Sequence, residues 1–175
     1  MKKFLLLFSL LTLLVGCNNT VEAEKVYTGK DLTIGIIGTA PKIKETNVTF
    51  EKIDFNDLTT NLEKITSDLD AIIITKEFLN EADEDKYVSV YINSTIPTFF
   101  MESTKAHVPF TNEGVDYEDF PEVDASIYAI GFLSTESDEG FNEQTWRYQL
   151  KDNKENEQNI QLVYTRMFET IESFN

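Results

Sequence analysis

From Leu32 onward the chain alternates short apolar runs with polar, turn-rich stretches, and each run has a readable period. Leu32-Thr33-Ile34-Gly35-Ile36-Ile37-Gly38 is a brief, mostly apolar run closed by glycine, the pattern of a strand buried on both faces. From Val48 to Phe55, Val48, Phe50 and Ile53 are set against Thr49, Glu51 and Asp54. A period of two with one slip predicts a second strand. Only the nine residues 39–47 separate the two runs. A parallel pair needs a crossover of a dozen or more, usually helical. Either a single helical turn fills the gap, or the two strands are not a standard parallel neighbour pair.

A helix follows, with Asn56 or Asp57 as its cap. Leu58, Leu62, Ile65 and Leu69 are spaced by four, three and four, which places them on one helical face. Asp70–Thr75 is β-branched and bounded by polar residues, predicting a central parallel strand. Lys76–Tyr91 reads as helix, with Phe78, Leu79, Ala82, Tyr87 and Tyr91 as core contacts. Thr95–Met101 is a strand at a sheet edge, or one that begins only after Pro97, which has no N–H to donate. From 102 to 124 the period stops, leaving a long loop. Ala125–Leu133 is apolar on both faces, and Ser134–Glu143 is turn-like. Thr145–Lys151 then alternates strictly, Trp146, Tyr148 and Leu150 against Arg147 and Gln149. That predicts a half-exposed strand antiparallel to the one before it. Ile160, Val163, Tyr164, Met167, Phe168, Ile171 and Phe174 form the apolar stripe of a final helix.

The predicted fold is one three-layer α/β domain over residues 31–175, with about six strands in a mostly parallel sheet, a C-terminal antiparallel hairpin and a closing helix. The pattern resembles a flavodoxin-like sheet, or one lobe of a periplasmic-binding-protein-like fold. Such a likeness carries no function by itself.

The N-terminus obeys a different logic. Met1-Lys2-Lys3 is basic, Phe4–Val15 is apolar apart from Ser9 and Thr12, and Gly16-Cys17 follows. This is the charged, apolar and small-residue order of a secretory signal. Its apolar run of about 12 residues makes roughly 18 Å of helix, too short for a bilayer core of about 30 Å. Leu14-Val15-Gly16-Cys17 resembles the lipobox of bacterial lipoproteins. That resemblance implies a diacylglycerol on the Cys17 thiol, cleavage after residue 16 and Cys17 as the mature N-terminus. It covers only the first tenth of the chain. Two acyl chains suffice for stable attachment to a membrane. Polar residues 18–30 read as a tether, so that residues 17–30 are the lipidated N-terminus and its spacer. Fully extended, 13 residues reach roughly 45 Å.

Cys17 is the only cysteine. Once acylated it leaves the domain with no disulfide and no thiolate ligand, so the fold rests on its hydrophobic core. The formal net charge is −16. Two of the 15 basic residues and none of the 31 acids precede Cys17, so the mature chain is more acidic still. That argues against nucleic acid and against electrostatic docking on anionic lipid. An acidic surface serves solubility in an exported domain.

In open α/β sheets, ligands bind beyond the carboxyl ends of the strands. Those ends are 38–41, 75–77 and 102–105. Thr39, Thr75 and Ser103 offer hydroxyls there, and Lys76 and Lys105 offer charge that is scarce in this chain. A small polar or anionic ligand is the expected occupant. Gly35-Ile-Ile-Gly38 matches neither G-x-G-x-x-G nor the P-loop pattern, so no nucleotide cofactor is expected. His107 is the single histidine, which rules out a multi-histidine zinc site. A Ser103–His107 dyad lacks the G-x-S-x-G elbow. Glu113–Asp124 holds six acids, among them Asp116, Glu118, Asp119 and Glu122, without the spacing of a calcium loop. No metal is expected. The sequence therefore points to a non-enzymatic, lipid-anchored domain on the extracytoplasmic face of the cell membrane that binds a small polar ligand. The alternative is a tethered envelope accessory protein that docks a partner through the 102–124 loop and the face near Trp146.

Overall fold

The computed structural model describes residues 25–137 and 140–174. The expected signal, Cys17 and the tether up to residue 24 lie outside the described residues. Strands β1 (Leu32–Ile37), β2 (Val48–Lys52), β3 (Ala71–Ile74), β4 (Thr98–Met101), β5 (Ile127–Ser137) and β6 (Gly140–Gln149) form one sheet, ordered β2-β1-β3-β4-β5-β6. The first four in that order are parallel. β5 runs antiparallel to β4, and β6 antiparallel to β5. Helices α1 (Phe55–Thr60), α2 (Leu62–Asp68), α3 (Leu79–Ala82), α4 (Asp85–Asn93), α5 (Val108–Thr111) and α6 (Glu157–Glu172) complete it. This is the expected α/β class, with its mostly parallel sheet, antiparallel hairpin and final helix.

Alternation on each strand divides the core in two. Ile72, Ile74 and Phe100 meet Leu58, Ile65, Tyr91 and Phe110 on the side of α1–α5. Ala71, Ile73 and Phe99 meet Val163, Met167 and Phe168 beneath α6. Every residue of β3 is inaccessible to solvent, as its continuous apolar run requires of a central parallel strand. Each phenylalanine buried in these layers contributes about 2–3 kcal/mol.

The β1–β2 join takes a third route. The two strands are parallel neighbours, yet residues 38–47 cross between them with no helix. What holds this bare crossover is Glu45, a carboxylate only 7% exposed. It accepts from the Tyr27 N–H at 3.1 Å, and from the Gln161 amide with both oxygens at 2.8 Å. The Thr165 hydroxyl lies 3.1 Å from it. Buried charge needs such partners, and here they come from two separate segments, the stretch around Tyr27 and helix α6. Ile43 packs into the α6-side core as well.

Residues 25–30, expected as tether, are part of the domain. Tyr27 is 3% exposed and packs 5.9 Å from Phe168. Lys25 pairs with Glu169 at 2.7 Å, and the Lys30 N–H donates to Glu172. The sequence hid this because a single aromatic has no period.

Other boundaries move for local reasons. Asp54, not Asn56 or Asp57, caps α1. Its carboxylate accepts from the Asp57 N–H at 2.8 Å while Asp57 accepts from the Asp54 N–H at 3.0 Å, a reciprocal capping box. The expected helix over 76–91 is a short 3₁₀ turn, then α3 and α4. β4 starts after Pro97, whose carbonyl accepts from the Ile72 N–H at 2.9 Å, and it is interior rather than an edge. The stretch expected as turn is strand on both sides: β5 runs to Ser137 and β6 starts at Gly140. β4 pairs only with residues 129–132 of β5; Leu133 and Ser134 are still buried, and from Thr135 the hairpin continues as a two-stranded arm. An arm with no third strand to cover it needs no apolar alternation, and so left no such signal.

Candidate functional site

The crossover 38–47 lies on the α6 side of the sheet, whereas α1 and α2, which carry the chain from β2 to β3, lie on the other. The chain thus leaves β1 and β2 to opposite faces. Such a divergence opens a crevice at the carboxyl ends of the strands. A cleft of about 940 Å³ occupies that place.

Its base is set by backbone geometry. Gly38 has φ +120°, and a Cβ there would stand 1.8 Å from Thr75 Oγ1. Only glycine accepts that backbone without strain. The Thr75 hydroxyl lies 3.1 Å from the Ile37 carbonyl and also reaches the Glu77 carboxylate. Glu77 is held below the usual carboxylate range, first by its own backbone N–H, then by Thr75, with a smaller share from the Thr39 N–H. It is therefore ionised at neutral pH.

The inner wall is aromatic. Phe55 stacks on Tyr87 at 4.5 Å and meets Phe78 edge-on at 6.4 Å. Arrangements of this kind are worth about 0.5–1.5 kcal/mol per pair beyond area burial, so Phe55 ties the other two rings together. The rim is polar: Thr39, Lys52, Asn56, Thr59 and Glu81 are all exposed and line the opening. Lys86 also lines it, but its ammonium lies 2.7 Å from Glu84 and 4.7 Å over the Tyr87 ring. Its pKa is pushed up to about 12, by the Glu84 hydrogen bond and then by Tyr87. Lys52 has no such partner among the described residues.

Of the residues expected to bind, Thr39 lines this cleft and Thr75 supports its base. The others lie elsewhere on the rim, engaged within the protein. Lys76 pairs with Glu102 at 3.2 Å. Ser103 is fully buried; its hydroxyl meets the Lys105 backbone and accepts from the Tyr117 hydroxyl at 3.4 Å. The Lys105 ammonium donates to the carbonyls of Tyr117 and Glu118 and lies 4.6 Å over the Tyr117 ring. The 102–124 loop thereby folds over the end of β4. Lys52, Glu81 and the aromatic wall were missed because strand and helix periods mark what is buried, not which loop end faces which.

His107 lies flat against Phe132 at 5.3 Å, and burial lowers its pKa. The acidic loop faces α3 and α4 across a depression of about 530 Å³. Its backbone is tied there: the Gly114 N–H donates to Asp85 at 2.7 Å and the Tyr117 N–H to Asp83 at 2.5 Å. Among the described residues no group of three or more His, Cys, Asp or Glu is arranged to hold a metal ion, and no helix is long and apolar enough to cross a membrane. No family model, curated protein or solved structure matches this chain.

Proposed function

We propose that the protein is a non-enzymatic binding domain, held at the extracytoplasmic face of the cell membrane by a diacylglyceryl Cys17, that takes a small polar ligand in the cleft beyond β1, β2 and β3. The observation that carries the reading is the cleft's position at the divergence of two crossovers, with an aromatic wall and, at its rim, a Lys52 that has no ion-pair partner among the described residues. Thr39, Asn56 and Thr59 supply donors and acceptors, Lys52 and Glu81 supply charge of either sign, and Phe55, Phe78 and Tyr87 exclude water. Concave sites with an apolar lining and a few convergent polar groups are the common form of small-molecule sites.

The anchor is tested by Cys17→Ser. This variant should lose incorporation of labelled fatty acid and appear in the medium. Retention of both label and membrane attachment would refute the anchor. The cleft is tested by native mass spectrometry of the protein recovered from its own host. A bound mass lost on unfolding, and weakened about tenfold or more by Lys52→Ala, is the expected result. No bound mass, with no amide shift near Thr39 or Lys52 across a panel of small polar metabolites, would overturn the reading.

A further inference from the structure

The sheet ends in two free edges of unlike kind. β2 has five residues and finishes in Glu51-Lys52, the short, charged form that discourages pairing. β6 has ten residues with neither proline nor a bulge from Gly140 to Tyr148. Among the described residues no strand pairs with its outer side.

Which of its backbone groups face outward follows from the register. β4 pairs Thr98 with Phe132 and Phe100 with Ile130, and the Glu102 N–H donates to the Tyr128 carbonyl. The even residues of β5 thus bond to β4, and its odd residues bond to β6. Since Gly131 lies opposite Trp146 and Leu133 opposite Gln144, the even residues of β6 are those engaged. Glu143, Thr145 and Arg147 turn their N–H and C=O groups out. Arg166 donates to the Gln149 carbonyl, which ends the open stretch.

We propose that this edge pairs with the same edge of a second copy, antiparallel about a two-fold axis at Thr145, to give one continuous twelve-stranded sheet. In that register Thr145 faces its own counterpart, and Glu143 of each copy lies opposite Arg147 of the other. All these positions have outward backbone groups, so about six hydrogen bonds form. The charges make the register self-complementary. Glu143 and Arg147 are exposed, share one face of the sheet, and have no ion-pair partner among the described residues. Antiparallel registers centred two residues to either side of Thr145 would set glutamate against glutamate or arginine against arginine, which is unfavourable. On the opposite face Trp146 lies diagonal to the Trp146 of the second copy, within reach of large side chains. Phe174, one of two large apolar side chains left exposed among the described residues, stands edge-on to Trp146 at 5.3 Å. The pairing covers this apolar patch as well as the backbone edge.

The test uses the full chain on intact cells, as two differently tagged copies carrying Thr145→Cys, under mild oxidation. A covalent pair containing both tags is expected; Thr49→Cys, on the exposed face of β2, should give none. Adding Glu143→Arg or Arg147→Glu to both copies should each reduce the pair about tenfold or more. Expressing Glu143→Arg in one copy and Arg147→Glu in the other should restore it, because each arginine then faces a glutamate again. Melting curves of the single variants should match the parent, which separates lost pairing from lost folding. No covalent pair in the parent, a pair indifferent to either reversal, or a combination that fails to restore it would overturn the proposal.

Discussion

At the ends of β1, β2 and β3 the sheet rim stands open, whereas at the end of β4 the following chain folds over it. Both halves begin with the same materials: a strand end, a hydroxyl and a lysine. In the closed half the lysine is Lys105, and its ammonium is bound to the carbonyls of its own loop and to the Tyr117 ring. Tyr117 in turn packs 5.5 Å from Phe110, which stacks on Phe100 at 3.8 Å. In the open half the chain leaves through short turns to opposite faces of the sheet, so no segment returns to fill the gap. Lys52 stays in solvent there. A cation in a sequence this acidic is therefore no pointer to a ligand until the path of the chain beyond it is known.

The comparison is broken most severely by Phe110→Ala. Phe110 is fully buried and joins the closed loop to the core, so its loss should cost about 3–5 kcal/mol in denaturant unfolding. The open half should be disturbed by Gly38→Ala, because no β-carbon fits beside Thr75. Backbone strain alone predicts about 1–3 kcal/mol of destabilisation, together with altered amide shifts at Thr39 and Glu77. An unchanged melting temperature would show that the turn is not as tight as its geometry requires. Lys105→Ala removes hydrogen bonds from a partly buried ammonium and should cost about 1–3 kcal/mol. It should also speed amide exchange through 113–120 while leaving residues 38–40 unaffected. Equal effects in both regions would mean that the two halves are one cooperative unit.

The smallest effect is set by pH. Burial lowers the His107 pKa in the folded protein, so the unfolded chain takes up the proton first as pH falls. Its contribution is constant above the usual histidine value of about 6.5 and declines as pH drops from there to the lowered folded value. Below that value it levels off. His107→Gln should flatten this segment of the stability–pH curve. An unaltered curve would mean that His107 is not desolvated as it lies against Phe132.

The sequence by itself determined the elements whose side chains repeat: the wholly apolar β3, the alternating Trp146-Arg147-Tyr148 of β6, the stripe of α6, and from these the α/β class. Burial imposes a period on such segments, and a period survives in one dimension. Tertiary structure alone decided where single residues act at a distance. Glu45 holds a helix-free crossover through groups 18, 116 and 120 residues away, and Tyr27 joins the core five residues before the first strand begins at Leu32. Lys105 was drawn inward and Lys52 left out by loop paths that carry no period. The open edge of β6 was likewise invisible, since which backbone groups face outward depends on strand order and register. Long-range closure fixes all of these, and side-chain chemistry read along the chain does not contain it.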